Sequence, residues 1–326
     1  MSVMRLISSS RIEIQSMSAK ELKASIKGSE GRVIMSQLGL HSNVIRDASN
    51  PELAQAFGAD MIMINGYPMD KDVLTGCEIQ KYHGRELGWV TEAARLSDLK
   101  QYVDIPMGIY LECGNPEVMK NQEVTTYGWK EIAECRKAVK ANFAKLKDEG
   151  AAFVVLAGNP GSGTTYDNII QATREAKEVV GDDVLIFAGK WEDGNIQPIL
   201  GDPVLGQVES KRIITELIDV GADCITLAMP GARTGISTED IRELTTFIHT
   251  YKPGTLVLSF LDGSIEGADE ETIRLCSLES KKTGADIHAI GDAGLHGIAV
   301  PEDIYTMAIA LKGRRLTWKR LAGSRR

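Results

Sequence analysis

The stretch GADIHAIGDAGLHG, residues Gly284–Gly297, decides how this chain folds. A glycine and an acidic residue lead into a short apolar run, which exits through a polar residue into a glycine-rich loop. Its opening triplet recurs: Gly-Ala-Asp also stands at Gly58–Asp60 and Gly221–Asp223, with Gly-Ala-Ala at Gly150–Ala152. Each copy follows a segment of amphipathic helical pattern and precedes an apolar run: MIMIN, FVVLAGN, CITLAMP or IHAIGD. The glycine ends the helix as a C-cap, and the polar residue turns the chain into a buried strand. Four more strand candidates lie between these units: RVIMSQ from Arg32, IPMGIYLE from Ile105, VLIFAGK from Val184 and TLVLSFLD from Thr255. Near-continuous apolar strands alternating with helices require a parallel sheet covered on both faces. Eight such units in 326 residues predict an α/β fold, a (β/α)8 TIM barrel. An open doubly wound sheet is the alternative, but it places a phosphate loop near its first strand, and VIMSQLGLHS has no such glycine pattern. The expected organisation is an N-terminal extension over residues 1–30 and a single barrel domain over 31–326.

Composition narrows the partners. Hydrophobic residues make up 43% and charged residues 25%, the balance of a soluble globular protein. A net charge of −8 argues against a nucleic-acid partner, whose surface needs clustered Lys and Arg. The basic exception, KGRRLTWKRLAGSRR at Lys312–Arg326, reads as a solvated helix end and a frayed terminus. No apolar run approaches the roughly 20 residues that span a bilayer, so no membrane partner is expected. The start of the chain reads as a polar lead-in with one short helix near SAKELKASI. Five scattered cysteines without a CxxC pair fit neither a disulfide framework nor a zinc knuckle, and point to a cytoplasmic protein. Gly66–Asp104 and Trp191–Val208 exceed ordinary barrel connections, so they are candidates for lids or for contacts in a homo-oligomer.

Alternation along the strands assigns their faces. After each Gly-Ala-Asp the second and fourth residues are bulky, as in Ile62 and Ile64, and suit the helix side. The alternate set, such as Cys224, Thr226 and Ala228, lines the barrel, and His288 points outward as a structural residue. Barrel enzymes keep their chemistry at the carboxyl ends of the strands. Those ends carry Asp47, Asn65, Glu112, Asn159, Lys190, Arg233, Asp262 and Asp292. Lys190 closes an apolar strand, where a desolvated lysine forms a Schiff base or clamps an anion. Glu112 shares a face with Gly108 and Tyr110 and points to the mouth as an acid/base. Asn65, Asn159, Arg233 and Asp47 are candidates to position the substrate. Barrels bind phosphate over the loops after strands seven and eight. Gly263, Ser264, Gly291, Asp292, Gly294 and Gly297 occupy those places. A second loop, GNPGSGTT, competes for the role, or serves only to cap the helix that follows. Asp47, Glu112 and Asp292 form a candidate set for Mg²⁺, although no spacing specifies a metal.

Four segments carry a resemblance: SNPELAQAFGADMIMIN, VVLAGNPGSGTTYDNIIQATREAKEVVGDDVLIFAGK, GADEETIRLCSLESKKTGADIHAIGDAGLHGIAVPEDI and IALKGRRLTWKRLA. From about Gly31 onward the chain resembles a bacterial family of (β/α)8 barrels without established catalytic residues. Its members bear the label "haloacid dehalogenase-like hydrolase" or are placed near phosphoenolpyruvate mutase. The hydrolase label implies a strand ending DxDG[TS] near the N-terminus, with the first Asp as nucleophile. The nearest match, SFLDGS, has Phe260 in that place, so a phosphoaspartyl mechanism lacks its carboxylate. PELAQAFGADMIMINGY is similar to the opening of the phosphoenolpyruvate mutase and isocitrate lyase group, whose KKCGH motif is absent. That resemblance implies a lyase, aldolase, isomerase or mutase working beside the carbonyl of a small phosphorylated or keto-acid metabolite. A phosphatase-type hydrolase and a non-catalytic metabolite-binding barrel are the alternatives.

Overall fold

The computed structural model describes residues 3–70, 74–93, 95–121, 131–192 and 196–323. Eight strands form a closed, all-parallel barrel: β1 (Val33–Leu38), β2 (Met61–Ile64), β3 (Met107–Glu112), β4 (Phe153–Ala157), β5 (Leu185–Gly189), β6 (Cys224–Ala228), β7 (Leu256–Leu261) and β8 (Ile287–Ile290). Each pairs with its neighbours in sequence, and β1 closes the ring on β8. The chain is therefore a (β/α)8 TIM barrel. Every residue of all eight strands is buried, as strands covered on both faces must be. A two-stranded antiparallel ribbon, Ile79–Tyr82 with Trp89–Ala93, lies in the long connection from β2 to β3.

The alternation holds. His288 lies opposite Ile34 and Ser259 in register, and its ring packs outward on Ser280 of the helix Glu270–Lys282, with Nδ1 2.7 Å from Oγ and Nε2 3.1 Å from the Gly31 carbonyl. Complete burial pushes its pKa down to about 4, so the ring is neutral and structural. The opposite face fills the lumen. Phe153 and Phe187 stack there with centroids 4.8 Å apart, and Gly108 leaves room for the Phe153 ring. Thr165 caps the helix Tyr166–Val180, as the capping alternative for its loop required.

The amino-terminal floor of the barrel shows what the repeated triplet does. Gly58, Gly150, Gly221 and Gly284 all take positive φ, which glycine adopts without strain. The aspartates then reach back to the preceding strand. Asp60 accepts the Ile34 amide at 3.1 Å, Asp223 that of Ile186 at 3.1 Å, and Asp286 that of Val257 at 2.9 Å. Each also holds a lysine: Lys312 on Asp60 at 2.6 Å, Lys23 on Asp223 at 2.8 Å, Lys27 on Asp286 at 3.0 Å.

Two terminal segments differ from expectation for this reason. The lead-in forms a 3-10 turn (Leu6–Ser8) and two helices (Arg11–Ser16 and Ala19–Lys27), not one. It buries Leu6, Ile7, Ile14, Leu22 and Ile26, and Lys23 and Lys27 fasten it to the floor. The basic tail is not simply solvated. The Lys312 side chain is fully buried, and Arg320 donates to Asp60 at 3.0 Å and to the Leu6 carbonyl at 2.8 Å. An uncompensated buried carboxylate at Asp60 would be costly, so the cations are drawn in.

Candidate active site

Two groups of side chains meet at the carboxyl-terminal mouth. The first is built on Glu112, the last residue of β3, which is only 3% exposed. Its carboxylate accepts the Asn159 backbone amide at 3.0 Å and the Asn159 side-chain amide. Asn159 and Asn65 exchange a reciprocal pair of amide hydrogen bonds at 2.8 and 3.0 Å, which ties the ends of β2, β3 and β4 together. The Arg136 guanidinium stands 3.9 Å from the carboxylate. Burial raises the Glu112 pKa, against the opposing pull of the Asn159 hydrogen bonds and the Arg136 charge.

The second group surrounds Trp191 and Asp262. Trp191 stacks on Phe260 with centroids 4.6 Å apart and planes 4° from parallel, and meets Tyr110 edge-on at 6.0 Å. Its indole Nε1 donates to Asp262 at 2.9 Å. The Glu192 carboxyl is buried beside Asp262, and burial, the Asp262 charge and a hydrogen bond between the two carboxyls hold its pKa well above the usual range. Arg233 donates to the Trp191 carbonyl at 3.2 Å and lies 3.6 Å from Glu192 and 3.7 Å from Asp262. Glu266 is pushed up to about 7 by burial and then by the charges of Asp262 and Asp292.

Between the groups lies an unsatisfied polar floor. Tyr110 and Thr226 share the lumen face of their strands, and both hydroxyls are buried without a hydrogen-bond partner among the described residues. Tyr110 is held protonated by burial and by the nearby Glu112 and Glu192 charges. Buried polar groups are rarely left unpaired, which sets these two hydroxyls apart from the rest of the lumen lining.

The residues expected from sequence divide accordingly. Glu112, Asn65 and Asn159 come together, and Arg233 joins Asp262. Lys190 goes elsewhere: β5 sends Phe187 and Gly189 inward, so Lys190 turns to the outer side. There it is fully buried and donates to the carbonyls of Thr164 at 3.1 Å and Gln197 at 3.2 Å. Asp47 is exposed in the loop after β1. The loops after β7 and β8 do contain Gly263 (φ +82°), Ser264 (φ +72°), Gly294 (φ +63°) and Gly297 (φ +71°) in the left-handed region. Their surroundings are acidic, however. The Gly263 amide turns onto Asp262 at 2.5 Å, that of Gly294 faces Asp292 at 3.5 Å, and that of Gly291 is used by the Leu261 carbonyl at 2.9 Å. Asp47, Glu112 and Asp292 are not gathered, and no three His, Cys, Asp or Glu side chains are placed to hold a metal ion among the described residues.

Trp191, Glu192, Glu266 and Arg136 add to the residues expected at the site, and Tyr110 and Thr226, expected only to face the lumen, join them. Strand parity with Glu112 and Cys224 was enough to find Tyr110 and Thr226. Nothing local marks Glu192, which is raised by burial and by Asp262, 70 residues away in sequence, whereas Glu266 is raised by burial and then by the charges of Asp262, four residues before it, and of Asp292.

The barrel is similar to the carboxyl transferase domain of Rhizobium etli pyruvate carboxylase, at 11% identity and a TM-score of 0.52, over 96% of this chain and 51% of that one. It is also similar to an archaeal fructose 1,6-bisphosphate aldolase, at 14% identity and a TM-score of 0.48, over 88% of this chain and 96% of that one. A third likeness, to the BexX/CysO complex of Amycolatopsis orientalis, has 14% identity and a TM-score of 0.46, over 91% of this chain and 93% of that one. At such identities the likeness is one of fold alone. No curated protein matches the sequence. No helix among the described residues is long and apolar enough to cross a membrane. A family profile matches residues 7–326, nearly the whole chain, and the protein belongs to the family described as Domain of unknown function (DUF7916).

Proposed function

We propose that the chain is a barrel enzyme, a lyase or isomerase that moves a proton beside the carbonyl of a small metabolite carrying a carboxylate or phosphate. The carrying observation is the set of buried carboxyls with raised pKa, Glu112 and Glu192, around two unpartnered hydroxyls at the barrel mouth. Carboxyls displaced upward are the groups that exchange protons near neutral pH. Glu112, held by Asn159, takes the proton from the carbon beside the carbonyl. Glu192, the protonated member of its pair with Asp262, donates to the carbonyl oxygen, and the enol forms. Return of the Glu112 proton to a different carbon, while Glu192 recovers a proton from a substrate oxygen, isomerises the substrate; expulsion of a leaving group that takes the Glu112 proton, while the enol oxygen gives its proton back to Glu192, cleaves it. Tyr110 and Thr226 hydrogen-bond the substrate oxygens. Trp191 and Phe260 form a flat apolar wall that excludes water. Arg233 and Arg136 face the anionic end. This reading gives the anion to the arginines because the glycine loops after β7 and β8 are occupied by Asp262 and Asp292. It gives Lys190 no covalent role, because its ammonium is turned away from the lumen.

Hydrogen exchange in D₂O tests this whatever the final product is. A panel of small keto acids and keto-sugar phosphates is incubated with the protein, and loss of the C–H signal beside the carbonyl is followed by proton NMR. At least one compound should exchange, and Glu112→Gln should slow that exchange by about 100-fold or more. Borohydride added during turnover should leave Lys190 unmodified. No exchange across the panel, or equal exchange by the Glu112 variant, defeats the proposal.

A further inference from the structure

The four Gly-Ala-X corners of the barrel floor are the same backbone structure, and one of them is incomplete. Asp60, Asp223 and Asp286 donate their amides to the carbonyls of Ile34, Ile186 and Val257, at 2.8, 2.7 and 2.9 Å. Ala152 donates to the Met107 carbonyl in the same way, at 2.8 Å. At the first three corners the aspartate carboxylate then accepts the amide of that same strand residue and pairs with a lysine. At the fourth a methyl group stands in the carboxylate's place, and a methyl accepts nothing.

A lysine nevertheless stands at the fourth corner, reaching it from the β2–β3 connection and not, as the lysines of the other three do, from the terminal segments. Lys100 lies over Gly150, so close that a β-carbon there would fall 2.5 Å from Nζ. Its ammonium has no hydrogen-bond or ion-pair partner among the described residues, whereas its neighbours Arg11 and Lys147 pair with Asp104 at 3.3 Å and Asp183 at 2.7 Å. Lys100 is exposed, and the desolvation its side chain meets against the corner, with no counter-charge, lowers its pKa. A cleft of about 570 Å³ opens at this point between the N-terminal helices and the floor, its apolar walls including Ile14, Leu22, Val103, Ile105, Met107 and Val184. The corner thus combines an unpaired cation, a strand amide without its side-chain acceptor, and an apolar cleft beside both.

We infer that this cleft binds a small aliphatic carboxylate, whose head group takes the place of the missing aspartate between Lys100 and the Met107 amide, and whose hydrocarbon tail lies along the apolar wall. The complementarity is the one the other three corners display with their own side chains. The site lies at the opposite end of the barrel from Glu112, so its occupancy and the proton-transfer reading stand or fall separately.

Octanoate is a suitable probe, with 1-octanol as the same tail without the charge. Calorimetric titration of the full chain should show octanoate binding about tenfold or more tightly than 1-octanol, since a hydrogen-bonded charge is at stake. Backbone NMR should place the largest amide shift at Met107. Lys100→Met should weaken octanoate about tenfold and leave 1-octanol unchanged. Ala152→Asp supplies the fourth carboxylate within the chain, and should abolish octanoate binding while raising Tm. No binding at millimolar octanoate, equal affinity for the alcohol, or undiminished binding by Lys100→Met overturns the inference. Should Ala152→Asp fail to fold, the Lys100 variant and the alcohol decide it alone.

Discussion

At Gly108 a β-carbon would fall 2.3 Å from the Phe153 ring, so the glycine is where a neighbouring aromatic side chain crosses the lumen. Its φ is not in the left-handed region, and space alone dictates the residue. Gly108→Ala should therefore cost about 1–3 kcal/mol through overpacking. Phe153→Leu vacates the contested volume, so the double variant should lose clearly less than the sum of the single losses. Urea unfolding of the four proteins measures this cycle, and simple additivity would show that the two positions do not compete. The same scale explains Glu112. Its two acceptor oxygens are filled by one asparagine, which leaves the carboxylate fixed toward the lumen rather than free to swing.

Among the elements, the N-terminal helix Ala19–Lys27 is held by chemistry that the barrel already contains. The aspartates that complete the starts of β1, β5 and β7 also hold lysines from both ends of the chain, Asp223 and Asp286 through their second oxygen and Asp60 through the oxygen that accepts the Ile34 amide. Asp286 is the most heavily engaged, with Val257, Lys27 and, at 2.9 Å, His249. Burial opposes its ionisation, but His249 and Lys27 prevail and hold its pKa below the usual value. A lowered carboxylate pKa contributes stability above the unfolded value, near 3.9, and that contribution is lost as pH falls through the folded value. Asp286→Ala should cost about 2–4 kcal/mol at pH 7, because the Val257 amide and Lys27 lose their partner together. Asp183→Ala, which removes an exposed pair with Lys147, should cost about 1 kcal/mol or less. Equal losses in denaturant titrations would show that the floor carboxylates are only surface charges.

Over the whole molecule the two ends of the barrel respond to pH in opposite senses. At the mouth, Glu112, Glu192 and Glu266 have raised pKa values, so the folded state holds their protons longer than the unfolded chain does. Stability contributed there falls as pH rises from about 4.5 and, for Glu266, is lost by about 7. His288, depressed to about 4, acts the other way: the unfolded chain takes up its proton first as pH drops below 6.5. Glu266→Gln should therefore raise Tm at pH 8 by about 2 °C, with the gain shrinking toward pH 5. A gain that does not depend on pH, in thermal scans across that range, would assign the effect to packing instead of charge.

The order and number of the strands and the outward direction of His288 follow from the sequence by itself, because they rest on local periodicity, whereas the choice of a closed ring over an open sheet is made by the structure. A buried parallel strand must be apolar, a helix must end at a residue tolerant of positive φ, and side chains must alternate. The same alternation along β5 already sends Lys190 outward, and along β3 and β6 it brings Tyr110 and Thr226 inward beside Glu112. What tertiary structure alone decided is the electrostatic character of each place. Glycine loops that spell an anion cradle become acidic once Asp262, Glu266 and Asp292 converge on them. The Glu192 carboxyl is raised by its burial and by the Asp262 charge beside it, and Lys100 lies over Gly150 at the corner where alanine stands in place of aspartate. Dihedral and hydrophobic preferences act over a few residues of chain, whereas a charge is governed by whatever lies within several ångströms in space, and that is known only when the ring has closed.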